Sequence, residues 1–164
     1  YTQLGKHCKA ISDDLPTLIS PYIDVKKAIL ANQSAITKAD AVSLKQHEAE
    51  WSEILDGIKD AVDILAFQDG HVELHELADY FAINKQLADR YGLRCWTNAE
   101  SFDRDMPIKF FPIKWEKLWM KLRAAEQAAL EKAITFEFSH FMSPQSAYVQ
   151  AHYLYERYME YLRS

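Results

Sequence analysis

The chain has 164 residues, 49% hydrophobic and 26% charged, a size and balance that fit one globular domain and exclude a disordered tail, a collagen-like repeat and a small disulfide scaffold. Nineteen Lys and Arg against 24 Asp and Glu leave a net charge of −5, so the chain has no basic face of the kind that nucleic acid or an anionic membrane surface requires. No apolar stretch approaches the ~18 residues of a membrane span, no basic, apolar-cored leader opens the chain, and the start at Tyr1, in what reads as mid-helix, points to a piece of a longer protein.

Leu4, Cys8 and Ile11 at helical spacing predict a helix over 1–14, closed by Asp13, Asp14 and Pro16. Residues 16–23 are apolar and β-branched and read as a first strand, with Pro21 confined to its end because it has no N–H for a ladder. A polar, Ala-rich connection over 24–40 holds a short helix near 25–31. Residues 44–58 carry Trp51, Ile54, Leu55 and Ile58 on one face and read as an amphipathic helix. A second strand over 62–68 is broken by Asp69-Gly70, and a helix over 74–91 is capped by Gly92. The third strand spans 93–100, and a loop over 101–112 contains Asp103, Arg104, Asp105 and two prolines. Good helix formers fill 115–132, the fourth strand is 133–139, and a loop over 140–144 leads to a last helix over 145–162. Cys8 and Cys95 form no metal-ligand pair; Cys95 sits in an apolar run and reads as a buried thiol, with a disulfide left open.

One helix followed by four βα units implies a parallel sheet with right-handed crossovers. Side chains alternate along a strand, so parity sorts them into two faces. Leu65 and Phe67 oppose Ile64, Ala66 and Gln68; Cys95, Thr97 and Ala99 oppose Arg94, Trp96, Asn98 and Glu100; Ile134, Phe136 and Phe138 oppose Thr135, Glu137 and Ser139. One set turns polar toward the C-terminal strand ends: Ser20 and Tyr22, Gln68, Asn98 and Glu100, Glu137 and Ser139. A doubly wound sheet buries both faces, and its strands read as continuous apolar runs. Glu137 inside Phe-Glu-Phe fits that badly, because burying an unpaired polar group costs roughly 2–7 kcal/mol and an ionised one more. A (β/α)8 barrel instead turns one face inward and collects polar residues at its C-terminal mouth, but needs eight strands and about 200–250 residues. The expected fold is therefore α/β, four parallel βα repeats over residues 1–164, forming the C-terminal half of a (β/α)8 TIM barrel whose first half lies upstream. The competing architecture is a complete four-stranded sheet whose polar face lines an open groove.

Four motifs occur in order: Leu-Ile-Ser-Pro-Tyr-Ile at 18–23, Asp-Ile-Leu-Ala-Phe-Gln-Asp-Gly at 63–70, Cys-Trp-Thr-Asn-Ala-Glu-Ser-Phe at 95–102 and Ile-Thr-Phe-Glu-Phe-Ser-His-Phe-Met-Ser-Pro at 134–144. Together they resemble a family of glycoside-hydrolase-like TIM-barrel proteins of Bacteroidetes, domain of unknown function 4434. The resemblance extends across nearly the whole chain and implies strands five to eight of the barrel. It implies an exported or lipid-anchored protein that acts on glycans. In related barrel glycosidases the nucleophile ends strand seven, which Glu100 matches, and the acid/base ends strand four, which would lie upstream.

Glu100, Glu137 and Asp69 are the candidate catalytic carboxylates. Glu137 is expected on the inward face one strand from Glu100, and strands lie about 4.8 Å apart, so repulsion between the two would raise one pKa and create a general acid. The alternatives are a salt bridge from Glu100 to Arg104, a structural pair of Glu137 with Arg94, and the turn preference of Asp69-Gly70. Gln68, Asn98, Ser139 and His140 offer hydrogen bonds to sugar hydroxyls, while Tyr22 and Trp96 offer flat faces to a pyranose ring. His71 and His75 have i, i+4 spacing, but without the His-Glu-x-x-His order or a third ligand, so a solvated loop is the better reading and no metal or other cofactor is expected. The leading function is acid/base hydrolysis of a glycosidic bond. The alternatives are a non-catalytic carbohydrate-binding barrel and a metal-dependent sugar isomerase or phosphodiesterase using His71, His75 or His140. The expected partners are a carbohydrate and the upstream half of the barrel.

Overall fold

The computed structural model describes residues 2–12, 14–23, 44–70, 72–105 and 109–164. Helix α1 (Thr2–Ile11) meets the rest of the chain at Gly5, where a Cβ would stand 2.3 Å from the carbonyl oxygen of Ala61. Strand β1 is only Leu18–Ile19, prolonged by an isolated parallel bridge between Tyr22 and Gln68. The expected strand over 16–23 is shorter because Pro21 cannot donate; its carbonyl still accepts the Gln68 N–H at 2.7 Å. The connection expected over 24–40, with its short helix, lies outside the described residues.

Helix α2 (Leu44–Ile58) buries Trp51, Leu55 and Ile58, three of the four apolar positions its spacing singled out, while Ile54 stays half exposed. Strand β2 (Ile64–Gln68) and strand β3 (Arg94–Glu100) flank helix α3 (Leu77–Arg90). Gly92, at φ +69°, lets the chain leave α3, and the Leu93 N–H closes back on the Ala88 carbonyl at 2.8 Å. The stretch 101–112 is not a plain loop. Strands β4 (Phe102–Asp105) and β5 (Lys109–Pro112) pair antiparallel in a separate two-stranded ribbon. Helix α4 (Trp115–Gln127), strand β6 (Lys132–Phe136), the one-turn helix α5 (Phe138–Phe141) and helix α6 (Val149–Arg163) complete the chain. The fourth strand thus stops at Phe136, three residues short of the predicted end.

The main sheet is parallel throughout, in the order β1-β2-β3-β6. This α/β architecture steps in one direction, and right-handed crossovers that never reverse put their helices on one face. The core bears this out for the first three strands. Leu65, Phe67 and Cys95 pack with Trp51, Leu55, Phe81 and Leu87, and Ile19 joins them from β1. A second cluster joins Ala99 to Leu118 and Leu122 of α4 and to Met142 and Leu154. The other face buries Ile64 and Ala66 in the middle of the sheet, while Leu18 and Phe136 on its two outer strands remain 39% and 49% exposed. Helix α6 packs against α4, α5 and β5, and the five residues of β6 are exposed or only partly buried on both faces.

Register corrects the face assigned to the fourth strand. Asn98 pairs with Ile134 and Glu100 with Phe136. Partners in a parallel ladder point the same way, so Ile134 and Phe136, not Thr135, share the face of Asn98 and Glu100; Glu137 lies beyond the end of the strand, outside this register. Parity orders residues within a strand but does not say which set faces a helix, and β6 has no buried side to decide it.

Candidate active site at the C-terminal strand ends

Asp69, the residue after β2, and Glu100, the last residue of β3, meet at the end of the sheet. The Glu100 N–H donates to Asp69 Oδ1 at 2.9 Å. Lys121 of α4 closes the group: its Nζ lies 3.2 Å from Asp69 Oδ1 and donates to the Glu100 carbonyl at 3.0 Å. All three residues are buried, Glu100 and Asp69 at 1% exposure and Lys121 at 7%. The Glu100 carboxylate faces Arg104 of β4 across two 2.6 Å contacts, Nη2 donating to Oε1 and Nη1 beside Oε2. Oε2 is close enough for the ion pair but not aligned for a hydrogen bond. Arg104 Nη1 also donates to the Gly70 carbonyl at 2.6 Å, and the guanidinium sits over the Phe102 and Phe110 rings at 5.1 and 5.9 Å. A Cβ at Gly70 would stand 2.2 Å from both carboxylate oxygens of Glu100, so a side chain there displaces that carboxylate from Arg104.

Burial is the largest influence on both acids. It pushes the Asp69 carboxyl above the usual carboxylate range despite the pull of Lys121 and of the Glu100 N–H. Burial likewise raises Glu100; Arg104 draws it back, Asp69 adds to the rise, and the net shift is upward. The two groups border a cavity of about 410 Å³ lined also by Gly70, His75, Phe102, Asp103, Lys117 and Met120, with Lys117 bonded to both oxygens of Asp103 at 2.9 and 3.0 Å. The volume falls in the usual range for small-molecule sites.

Other expected site residues divide into separate groups. Ser20 links two of them: the Asn98 amide donates to its Oγ at 2.9 Å, Gln68 Nε2 donates to its carbonyl, and Ser20 Oγ donates to the Ala66 carbonyl at 2.8 Å. Tyr22 joins this group through its bridge to Gln68, and the buried Oδ1 of Asn98 has no hydrogen-bond partner among the described residues. Glu137 lies just beyond β6, where its carbonyl accepts the Ser101 hydroxyl at 3.1 Å. It caps α5, accepting the His140 N–H at 2.9 Å, and also pairs with the His140 ring. Ser139 and His140 are therefore on a helical turn, both exposed. Trp96 is not at the mouth. It is the third residue of β3, about 13 Å from Glu100 at a rise of ~3.3 Å per residue, held between the Arg94 and Lys132 cations at 5.6 and 4.9 Å. Arg94 thus serves Trp96 and not Glu137. Both cysteines are free, Cys8 exposed and Cys95 buried, so the disulfide alternative falls. Among the described residues no group of three His, Cys, Asp or Glu could hold a metal ion; His71 lies outside them.

Sequence reasoning missed Lys121, and a signal for it exists. Leu118, Lys121, Leu122 and Ala125 have the i, i+3, i+4, i+7 spacing of a buried helical stripe, and all four are buried. A lysine in such a stripe must meet a charge.

The family model described as domain of unknown function (DUF4434) matches residues 1–148. The chain belongs to this family. The DUF4434 chain is also similar to a crystal structure from Bacteroides thetaiotaomicron VPI-5482 described as a "putative alpha-L-fucosidase", with 62% sequence identity and a TM-score of 0.88. The match covers 99% of the DUF4434 chain and 48% of that protein, so this chain spans about half the length of its neighbour. No curated protein matches it. No helix among the described residues is long and apolar enough to cross a membrane.

Proposed function

We propose that this chain is the C-terminal half of a (β/α)8 barrel and that the complete protein hydrolyses a glycosidic bond, with an α-L-fucoside as the first substrate to test. The observation that carries the reading is the buried Glu100 at the C-terminal end of a parallel strand, bordering a cavity of about 410 Å³ beside Arg104. Barrel enzymes keep their acids at that end of the sheet. The unreversed strand order, the partly exposed second face and the half-length match to a fucosidase-like neighbour support the half-barrel.

In this mechanism Glu100 is the nucleophile. Arg104 favours its carboxylate form against burial and gives up one contact as an oxygen attacks the anomeric carbon. The C–O bond to the leaving group breaks, and that oxygen takes a proton from an acid on the other half of the barrel. Water then cleaves the glycosyl–enzyme ester, as in retaining glycosidases whose two carboxyls stand about 5–5.5 Å apart. Gln68, Asn98 and Tyr22 contact sugar hydroxyls and the ring face, Ser139 and His140 extend those contacts from the exposed turn after β6, and Asp69 holds the Glu100 backbone in place. Glu137 positions His140. By the same family resemblance the protein acts outside the cytoplasm, at the cell surface or in the periplasm.

The test is hydrolysis of aryl α-L-fucosides and a panel of other aryl glycosides by the full-length protein and its Glu100→Gln and Glu100→Ala variants. Both variants lose turnover, and azide restores it in Glu100→Ala with a glycosyl azide as product. Equal turnover in wild type and Glu100→Gln refutes the role of Glu100. One observation favours a non-catalytic carbohydrate-binding barrel instead: Glu100, Asp69 and Glu137 are already paired with Arg104, Lys121 and His140. That reading gives sugar binding by calorimetry without turnover of any glycoside.

A further inference from the structure

Helix α4 has cavities on two opposite flanks. Lys117, Met120 and Lys121 line the one beside Glu100. On the other flank Trp115 and Trp119, one turn apart, line a separate groove of about 380 Å³ with Arg157, Glu160, Tyr161 and Ser164 from the end of α6. At 100° per residue, positions 115 and 119 lie on one side of the helix and 117 and 121 on the other. The two cavities therefore do not share a wall side chain.

The groove combines flat apolar surfaces with polar groups. Trp119 is 43% exposed, while Trp115 and Tyr161 set their rings 58° apart at a centroid distance of 5.8 Å. The Arg157 guanidinium sits over the Trp115 ring at 6.0 Å and pairs with Glu160 through Nη1. Its Nε is buried and has no hydrogen-bond partner among the described residues. A buried donor left unpaired is unfavourable. An exposed indole is likewise unfavourable in water unless something covers it.

We propose that this groove is a surface carbohydrate-binding site, separate from the Glu100 cavity, that takes a pyranose unit of a glycan chain. The C–H face of the sugar lies on Trp119, and its hydroxyls meet the planar donor fork of Arg157 and the acceptor oxygens of Glu160. Paired donors and acceptors beside a stacking ring match a neutral polyol. A purely apolar ligand would strand Arg157, and an anion would meet Glu160. A protein partner is disfavoured by size. Stable interfaces bury about 800 Å² per partner over roughly 20–30 residues, and here six residues line the groove. The assignment does not depend on Glu100 being catalytic.

The experiment is affinity electrophoresis of the full-length protein in gels cast with gastric mucin, xyloglucan or yeast mannan. It compares wild type, Trp119→Ala, Trp119→Phe, Arg157→Ala and Glu100→Gln. Acrylamide quenching of tryptophan fluorescence runs in parallel, and the difference between wild type and Trp119→Phe isolates Trp119. At least one polysaccharide retards the wild type. Trp119→Ala weakens that retardation about tenfold or more, Trp119→Phe retains most of it, Arg157→Ala weakens it, and Glu100→Gln leaves it unchanged. Hydrolysis of a small aryl glycoside, where present, is the same in Trp119→Ala as in wild type. The proposal is overturned by retardation unaffected in Trp119→Ala, or by no retardation of the wild type in any of the three gels. It is equally overturned by a Trp119 shielded from acrylamide in the free protein, or by a dimer that dissociates on Trp119→Ala; each of these outcomes assigns the groove to protein contact.

Discussion

Replacing Lys121 by Met tests the charge arrangement at the strand ends most directly. Met keeps the length and most of the apolar stem of lysine, so the stripe with Leu118, Leu122 and Ala125 stays filled. It removes the one ammonium within 3.2 Å of Asp69, whose carboxyl is buried and already has an unpartnered Oδ2. Removing one partner of a buried pair costs about 3–5 kcal/mol, because the other charge stays desolvated. With urea m-values of about 1–3 kcal/mol/M, the midpoint should fall by at least about 1 M. The loss carries a pH signature. Burial already holds the folded Asp69 carboxyl above its unfolded value, and Lys121 is the largest opposing influence. Without Lys121 the folded state holds that proton to still higher pH. Its contribution is then favourable below the unfolded pKa of about 3.9 and is lost as pH rises through the folded pKa. The deficit of Lys121→Met against wild type should be smallest near pH 4 and grow toward neutrality. Asp69→Asn in the Lys121→Met background should recover much of it. Urea denaturation between pH 4 and 8 measures all three proteins. A deficit under about 1 kcal/mol, a deficit independent of pH, or a double variant no more stable than Lys121→Met would refute this account of the buried charges.

Two glycines should respond in opposite directions. Gly5→Ala drives a Cβ against Ala61 at 2.3 Å and should cost about 1–3 kcal/mol, whereas Gly57→Ala in α2 meets nothing within 4 Å and should gain about 0.4–1 kcal/mol; thermal melts of the two variants decide. Burial pushes Asp63 up, but hydrogen bonds from the Thr17 N–H and hydroxyl and from Lys9 outweigh it and hold the carboxyl below its usual range. Its stabilisation is therefore present above about pH 3.9 and lost as pH falls through the lowered folded value, so Asp63→Asn should show a shallower acid loss of stability between pH 5 and 2. Burial pushes the Cys95 thiol up to about 12 while Cys8 is exposed, so iodoacetamide at pH 8 should alkylate Cys8 and spare Cys95 until the protein unfolds, as read by peptide mass spectrometry.

The sheet was legible where one side of a strand is buried. Alternation at Leu65, Phe67 and Cys95 matched a packed helix face, and the apolar spacing of residues 44–58 placed α2 at its observed ends. It was not legible where burial gives no signal. Strand β6 has no buried side, so the parity of its residues was read backwards: Phe136, not Thr135, shares Glu100's face. The β4–β5 ribbon hid behind Phe-Asp-Arg-Asp, a charged stretch whose strand character comes from pairing and not from an apolar pattern. At the site, Glu100 and its Arg104 partner were readable from position and spacing. Lys121 was legible only as a lysine within the apolar stripe of Leu118, Leu122 and Ala125; that its partner is Asp69 comes from the tertiary placement of α4.

Strand β6 has a practical consequence for handling the protein. Among the described residues it is the last strand of the main sheet, so one row of its backbone N–H and C=O groups lacks a neighbouring strand, beside an exposed Phe136. Such an edge is a template for any other strand in solution. The 164-residue chain should self-associate through it, and Lys132 at one end is a weak deterrent. Solubility of deletion series therefore reports on whether a given boundary leaves that row of hydrogen-bonding groups covered.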